Sequence, residues 1–128
     1  MTTTDEQAIR QVLDTYMEAL NTSDADLAAS VYANDGVFMP DHIPTSSGTD
    51  IRGAYVQIFD TIKLDVDFHY DDISVHDDLA VARTHSQGTL TVLADGAVVD
   101  DEQNRELFVL ARRNGGWKIA SYMFNKPF

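Results

Sequence analysis

Apolar residues recur over the first twenty positions at steps of three and four: Ile9, Val12, Leu13, Tyr16, Met17 and Leu20. That spacing draws one apolar face on a helix and predicts an amphipathic helix from Thr4 to Leu20. Thr4 with Gln7 matches a capping box at its start, and Asn21-Thr22 ends it. Ser23 is expected to cap a short second helix whose apolar face is Leu27, Ala28, Val31 and Tyr32. Asn34-Asp35-Gly36 then turns the chain into a first strand at Val37-Phe38-Met39. The stretch Asp41-His42-Ile43-Pro44-Thr45-Ser46-Ser47-Gly48 has no period and reads as a loop lying over whatever is beneath it. A third helix, capped by Ser47 or Thr49, carries the stripe Ile51, Tyr55, Ile58, Phe59 and Ile62.

From Leu64 the period changes to two. Leu64, Val66, Phe68 and Tyr70 alternate with Asp65, Asp67, His69 and Asp71, as a half-buried strand requires. Turn signals at Asp77-Asp78, Asp95-Gly96 and Asn114-Gly115-Gly116 divide the remainder into strands joined by hairpins. Helices first and strands afterwards predict an α+β domain: three N-terminal helices packed on one face of a strongly curved antiparallel sheet, with no parallel βαβ unit. A length of 128 residues, with no repeat, linker or low-complexity tract, makes residues 1–128 a single domain.

Charge and cysteine usage narrow the partners. Nine Lys and Arg stand against 21 Asp and Glu, a formal charge of -12 that repels phosphate backbones and anionic lipid, so neither nucleic acid nor membrane is an expected partner. The acidic residues are mostly Asp and are spread along the chain, which reads as a solvated surface. With no cysteine, disulfides, thiol catalysis and thiolate metal sites are excluded. The polar start Met1-Thr2-Thr3-Thr4-Asp5-Glu6 lacks the basic and apolar regions of a signal peptide, and a cytoplasmic location is expected.

Three segments together carry a family resemblance: Tyr16-x-x-Ala19-Leu20-Asn21-x-x-Asp24, then Tyr32-Ala33-x-Asp35-x-Val37-Phe38, and the terminal Trp117-Lys118-Ile119-Ala120-Ser121-Tyr122-Met123-Phe124-Asn125. In this order the chain resembles the nuclear transport factor 2-like superfamily, the cystatin-like cone or α+β barrel of ketosteroid isomerase, scytalone dehydratase and the SnoaL polyketide cyclases. Asn104-Arg105-Glu106-Leu107-Phe108-Val109-Leu110 and Tyr122-Met123-Phe124-Asn125 are similar to its small SnoaL-like or SgcJ-like branch. The resemblance implies a sheet curled around a pocket closed by helices, and a homodimer through the outer sheet face.

The ketosteroid isomerase pattern needs a carboxylate base beside a carbonyl and neutral donors for the enolate in a dry cavity. Tyr16 matches the donor position; the competing reading is a core tyrosine whose hydroxyl is satisfied near the rim. The same alignment puts Pro40 at the base position, with Asp41 one residue later, where a strand reverses the side chain. Asp41 serves if Pro40 breaks the strand, and His42 beside it offers a second base with an ordinary pKa near neutrality; otherwise both are solvated loop residues. The second enolate donor falls near Val109, which cannot donate, and Glu106 is the nearest acid.

Glu106 sits at the head of the apolar strand run Leu107-Phe108-Val109-Leu110. With a two-residue loop at Asn114-Gly115 it lies opposite Met123 and shares a face with Ser121 and Asn125; with Gly116 in the loop, Arg105 takes its place. Turned inward it is desolvated and raised in pKa, fit for acid or base work; turned outward it pairs with Arg83 or Arg112. Asp65, Asp67, His69 and His85 offer oxygen and nitrogen ligands on one sheet face, but nothing closes such a site, so the polar face of a strand is the preferred reading and no metal is expected. No phosphate loop, nucleophile elbow or dinucleotide fingerprint occurs, and no cofactor is expected.

Three functions fit these residues. One is a cofactor-independent isomerase, cyclase or dehydratase moving a proton on a small hydrophobic carbonyl or polyketide-like substrate, with Tyr16 and one of Asp41, His42 or Glu106 as the working pair. The second is a non-catalytic pocket for a small hydrophobic ligand, bound among Met39, Tyr55, Phe59, Trp117 and Met123, with Ser121 and Asn125 on the same face. The third is a dimeric interaction module whose pocket is a filled core.

Overall fold

The computed structural model describes residues 4–127. Helix α1 (Thr4–Asn21) buries Ile9, Leu13, Tyr16, Ala19 and Leu20, the inward part of the predicted stripe. Thr4 is itself helical. Helix α2 (Ala25–Ser30) is capped by Asp24, whose carboxylate accepts the Leu27 N–H at 3.0 Å. Ser23, the expected cap, instead takes a positive φ of 55° in the link between the helices. Because α2 stops at Ser30, Tyr32 opens strand β1 (Tyr32–Met39) rather than closing a helix. A two-residue β2 (Ser46–Ser47) and helix α3 (Asp50–Thr61) follow, α3 burying Ile51, Tyr55 and Phe59. The remaining strands are β3 (Ile62–His76), β4 (Leu79–Val92), β5 (Val98–Arg113) and β6 (Gly116–Asn125).

The six strands form one curled, unclosed sheet in the order β2-β1-β6-β5-β4-β3, with the helices packed against it. From β3 to β6 the strands are joined by antiparallel hairpins, as the turn signals predict. At β1 the hairpin-only expectation is corrected: β1 pairs with β2 antiparallel but with β6 in parallel, Tyr32 facing Ile119 and Phe38 facing Tyr122. Asn34-Asp35-Gly36 lies inside β1, where the register shifts between Tyr32 and Val37, rather than forming a turn before it. A parallel pair between distant segments leaves no local mark, whereas a hairpin writes its turn into the sequence.

Bulges produce the curl. Asp71 is the extra residue in β3, Ala120 is the extra residue in β6, and the β4 to β5 register shifts after Gly88. At Gly88 a Cβ would sit 2.0 Å from the Asp65 carbonyl oxygen, so β3 crosses β4 more closely than any side chain allows. Asn21 then fastens α1 onto this bend: its Nδ2 donates to the Val66 carbonyl at 2.8 Å and its Oδ1 accepts the Val66 N–H at 2.9 Å. Among the described residues no helix is long and apolar enough to cross a membrane.

The core is aromatic. Phe38 stacks between Tyr55 and Tyr122, with centroids 4.7 and 5.8 Å away, and Tyr122 stacks on Phe108 at 4.2 Å. At the far end Arg112 lies over the Trp117 ring at 5.1 Å and donates to Asp5 at 2.6 Å, closing that end of the cone.

Candidate active site

Inward positions on β4 and β5 are polar where apolar residues are usual. Thr84 and Ser86 on β4 and Glu102 and Glu106 on β5 are all buried, and Thr84 stands directly opposite Glu106. The Glu106 carboxylate is only 3% exposed and accepts hydrogen bonds from Thr84 Oγ1 and Ser86 Oγ, each at 2.6 Å. Burial pushes its pKa up, and the two hydroxyl donors offset part of that push. Two donors leave lone pairs free on a carboxylate, so the group can still take a proton from a ligand.

Facing it is a chain of phenols. Tyr16 and Tyr55 hydroxyls lie 2.6 Å apart, and Tyr55 and Tyr32 hydroxyls 2.7 Å apart. Burial raises all three pKa values far above the ordinary phenol value, and the nearby Glu106 charge adds to the rise at Tyr16. The phenols are therefore neutral donors at any physiological pH. A ligand oxygen at Tyr16 selects the arrangement in which Tyr32 donates to Tyr55 and Tyr55 to Tyr16, leaving the Tyr16 proton free.

Tyr16, Glu106 and Tyr55 line one cavity of about 120 Å³. Its walls are Leu20, Phe38, Ile58, Leu64, Val66, Phe68, Leu90, Tyr122 and Phe124, and Ser86, Glu102 and Asn104 complete its polar lining. Ile43, Ile58 and Ile62 also line an outer hollow of about 570 Å³ between the loop after β1 and helix α3. The loop expected to lie over the pocket thus contributes Ile43 to both spaces.

Of the residues singled out in sequence, Tyr16, Glu106 and Tyr55 come together on the cavity. Asp41 and His42 pair with each other at 2.9 Å, and His42, 88% exposed at its side chain, borders the outer hollow. The last hairpin corrects the expected register. Its loop has two residues, but the Ala120 bulge moves Glu106 from Met123 to Phe124, so Tyr122 and Phe124 face inward. Ser121, Met123 and Asn125 then occupy the outer face, where Met123 is 42% exposed and Asn125 Oδ1 accepts from Arg105 at 2.7 Å. Met39 pairs with Met123 beside them, Phe59 packs in the core, and Trp117 sits at the closed end. Asp65, Asp67, His69 and His85 are exposed on the outer face, where the two imidazoles stack at 4.9 Å and His85 Nδ1 meets Asp71 at 2.9 Å.

Sequence reasoning missed Tyr32, Thr84, Ser86, Glu102, Asn104 and Tyr122. A signal existed for the strand residues: Glu102, Asn104, Glu106, Phe108 and Leu110 form one alternating set, of which the last two are plainly core.

Helices packed on a curled, unclosed sheet, with a neutral phenol and a buried carboxylate on one cavity, give the chain the fold of the ketosteroid isomerase-like, nuclear transport factor 2-like class. The chain belongs to the SnoaL-like domain family, whose model matches residues 1–123. Among solved structures it is similar to a ketosteroid isomerase-like protein from Erwinia carotovora atroseptica, at 27% identity and TM-score 0.92 over 99% of both chains. It is also similar to a candidate dehydratase of the NTF2-like family from Streptomyces avermitilis, at 19% identity and TM-score 0.79 over 98% of this chain and 97% of that one. A third is an NTF2-like protein of unknown function from Pseudomonas putida, at 20% identity and TM-score 0.78 over 100% and 90%. No curated protein matches the chain.

Proposed function

We propose that the cavity takes a small, largely apolar carbonyl compound and moves a proton on it without a cofactor, as an isomerase, cyclase or dehydratase. One observation carries this reading: Tyr16 and Glu106 share a largely apolar cavity, the first a neutral donor and the second a carboxylate whose basicity burial has raised. Glu106 removes a proton from the carbon next to the carbonyl, the electron pair moves onto the carbonyl oxygen, and Tyr16 donates a hydrogen bond to the resulting enolate. Glu106 then returns the proton to the same or a conjugated carbon in an isomerisation, to a β-hydroxyl that leaves as water in a dehydration, or to the oxygen of an internal carbonyl that the enolate carbon attacks in a cyclisation, so no external reagent is needed. The isomerase-like relative and the dehydratase-like neighbour support proton-transfer chemistry of this kind.

Acetophenone in deuterated water tests it, because its methyl hydrogens exchange only if a base removes them. Protein-dependent exchange should appear by proton NMR, fall on the order of 10²–10⁴-fold in Glu106→Gln and about 10²–10³-fold in Tyr16→Phe. Binding without exchange would favour the non-catalytic ligand pocket, and absence of binding would sink both.

The reading includes a cytoplasmic homodimer. Val81, Leu107 and Met123 are each about two-fifths exposed, at 41%, 42% and 42%, on the outer sheet face, where Leu107 pairs with Met123 on one side and Arg83 on the other, and Val81 lies diagonally across from Leu107. A second copy of this chain is the partner such an exposed apolar patch suits.

A further inference from the structure

The cavity has a second polar end. Glu102, 9% exposed, and Asn104 line it on β5, on the same strand face as Glu106. Asn104 Nδ2 donates to Glu102 Oε2 at 2.9 Å, and Lys126 Nζ donates to the same oxygen. A carboxylate oxygen only accepts, so this bond fixes the amide orientation and leaves Asn104 Oδ1 as the other terminus. That oxygen is buried, and among the described residues no donor reaches it. A buried acceptor without a donor is costly, and the cost is removed when a ligand supplies the donor.

We infer that Asn104 selects ligands carrying a hydroxyl or N–H at the end opposite the carbonyl, making the substrate class a hydroxy- or amino-substituted carbonyl compound. The inference rests on the carbonyl reading of Tyr16 and Glu106. Side chains two apart on a strand share a face and stand about 7 Å apart, so the two polar ends suit a molecule of one ring bearing its polar groups at opposite positions. Glu102 holds the amide and Lys126 holds Glu102, which keeps Oδ1 from rotating away in favour of the Nδ2 donor.

The test compares 4-hydroxyacetophenone with 4-methylacetophenone, which has nearly the same shape but no donor, by titration calorimetry on the full chain. Wild type should bind the hydroxyl compound about tenfold more tightly. Without an acceptor in the cavity the preference runs the other way, since burying an unpaired hydroxyl is unfavourable. Asn104→Leu should abolish or reverse the preference for the hydroxyl compound over 4-methylacetophenone. Equal or weaker binding of the hydroxyl compound to wild type, a measurement that needs no variant, would overturn the inference, as would a preference that survives in a folded Asn104→Leu. Unsubstituted acetophenone separates the two readings. If it binds in a Tyr16-dependent way and the hydroxyl adds nothing, only the Asn104 assignment fails; if none of the three compounds binds, both fail.

Discussion

At the scale of single residues, Glu106 couples the site to stability. Its pKa is raised by burial, so the folded chain holds that proton more tightly than the unfolded chain does. The resulting stabilisation is complete below the unfolded carboxylate value, about 4.3, and is lost as pH rises through the higher native value. Glu106→Gln cannot ionise, so denaturation by urea at a series of pH values should show the variant gaining on wild type from mild acid to neutrality. A constant difference would mean that Glu106 titrates normally and is not desolvated. Residue identity also explains why parts of the site were readable: Tyr16 lies in a recognisable helix motif and Glu106 adjoins the apolar run Leu107-Phe108-Val109-Leu110. Thr84, Ser86 and Asn104 were hidden because small polar residues suit the solvent side of a strand equally well, and only strand register decides the side.

Elements explain what periodicity could and could not give. The amphipathic stripes of α1 and α3 and the hairpins from β3 to β6 were readable because each is a local pattern, whether a helical period, an alternation or a turn residue. The Asp71 and Ala120 bulges were not, since one unpaired residue alters no composition and is set by how neighbouring strands bend around the core. Ala120 mattered most, because that single extra residue decides whether Phe124 or Met123 lies beside Glu106. Gly88 is where this bending is tightest. Gly88→Ala would drive a Cβ into the Asp65 carbonyl, so calorimetric melting should reveal a loss of about 1–3 kcal/mol or more. An unchanged melting temperature would show that β3 and β4 separate easily at this point. The amide bridge from Asn21 to Val66 adjoins the same crossing, so the strain would be felt where α1 docks and along the cavity wall at Val66.

For the whole molecule, charge and the outer apolar face act against each other. Two copies that each carry -12 repel, so a dimer through Val81, Leu107 and Met123 should tighten as salt is raised, the reverse of a salt-bridged interface. Leu107→Asp places a carboxylate in the middle of that patch and should shift sedimentation from dimer to monomer while circular dichroism stays unchanged. A wild-type protein that sediments as a monomer at all concentrations would remove the dimer from the reading. The parallel pairing of β1 with β6 has a kinetic side as well. Tyr32 meets Ile119 across most of the chain, so this seam closes the longest loop in the sheet, and without it β1 has only the two-residue β2 as a strand partner. The β3 to β5 meander can assemble from near neighbours long before that. The pocket needs Phe38 from one side of that seam and Tyr122 from the other, so whatever keeps the seam open leaves the cavity wall incomplete while the rest of the sheet can stand.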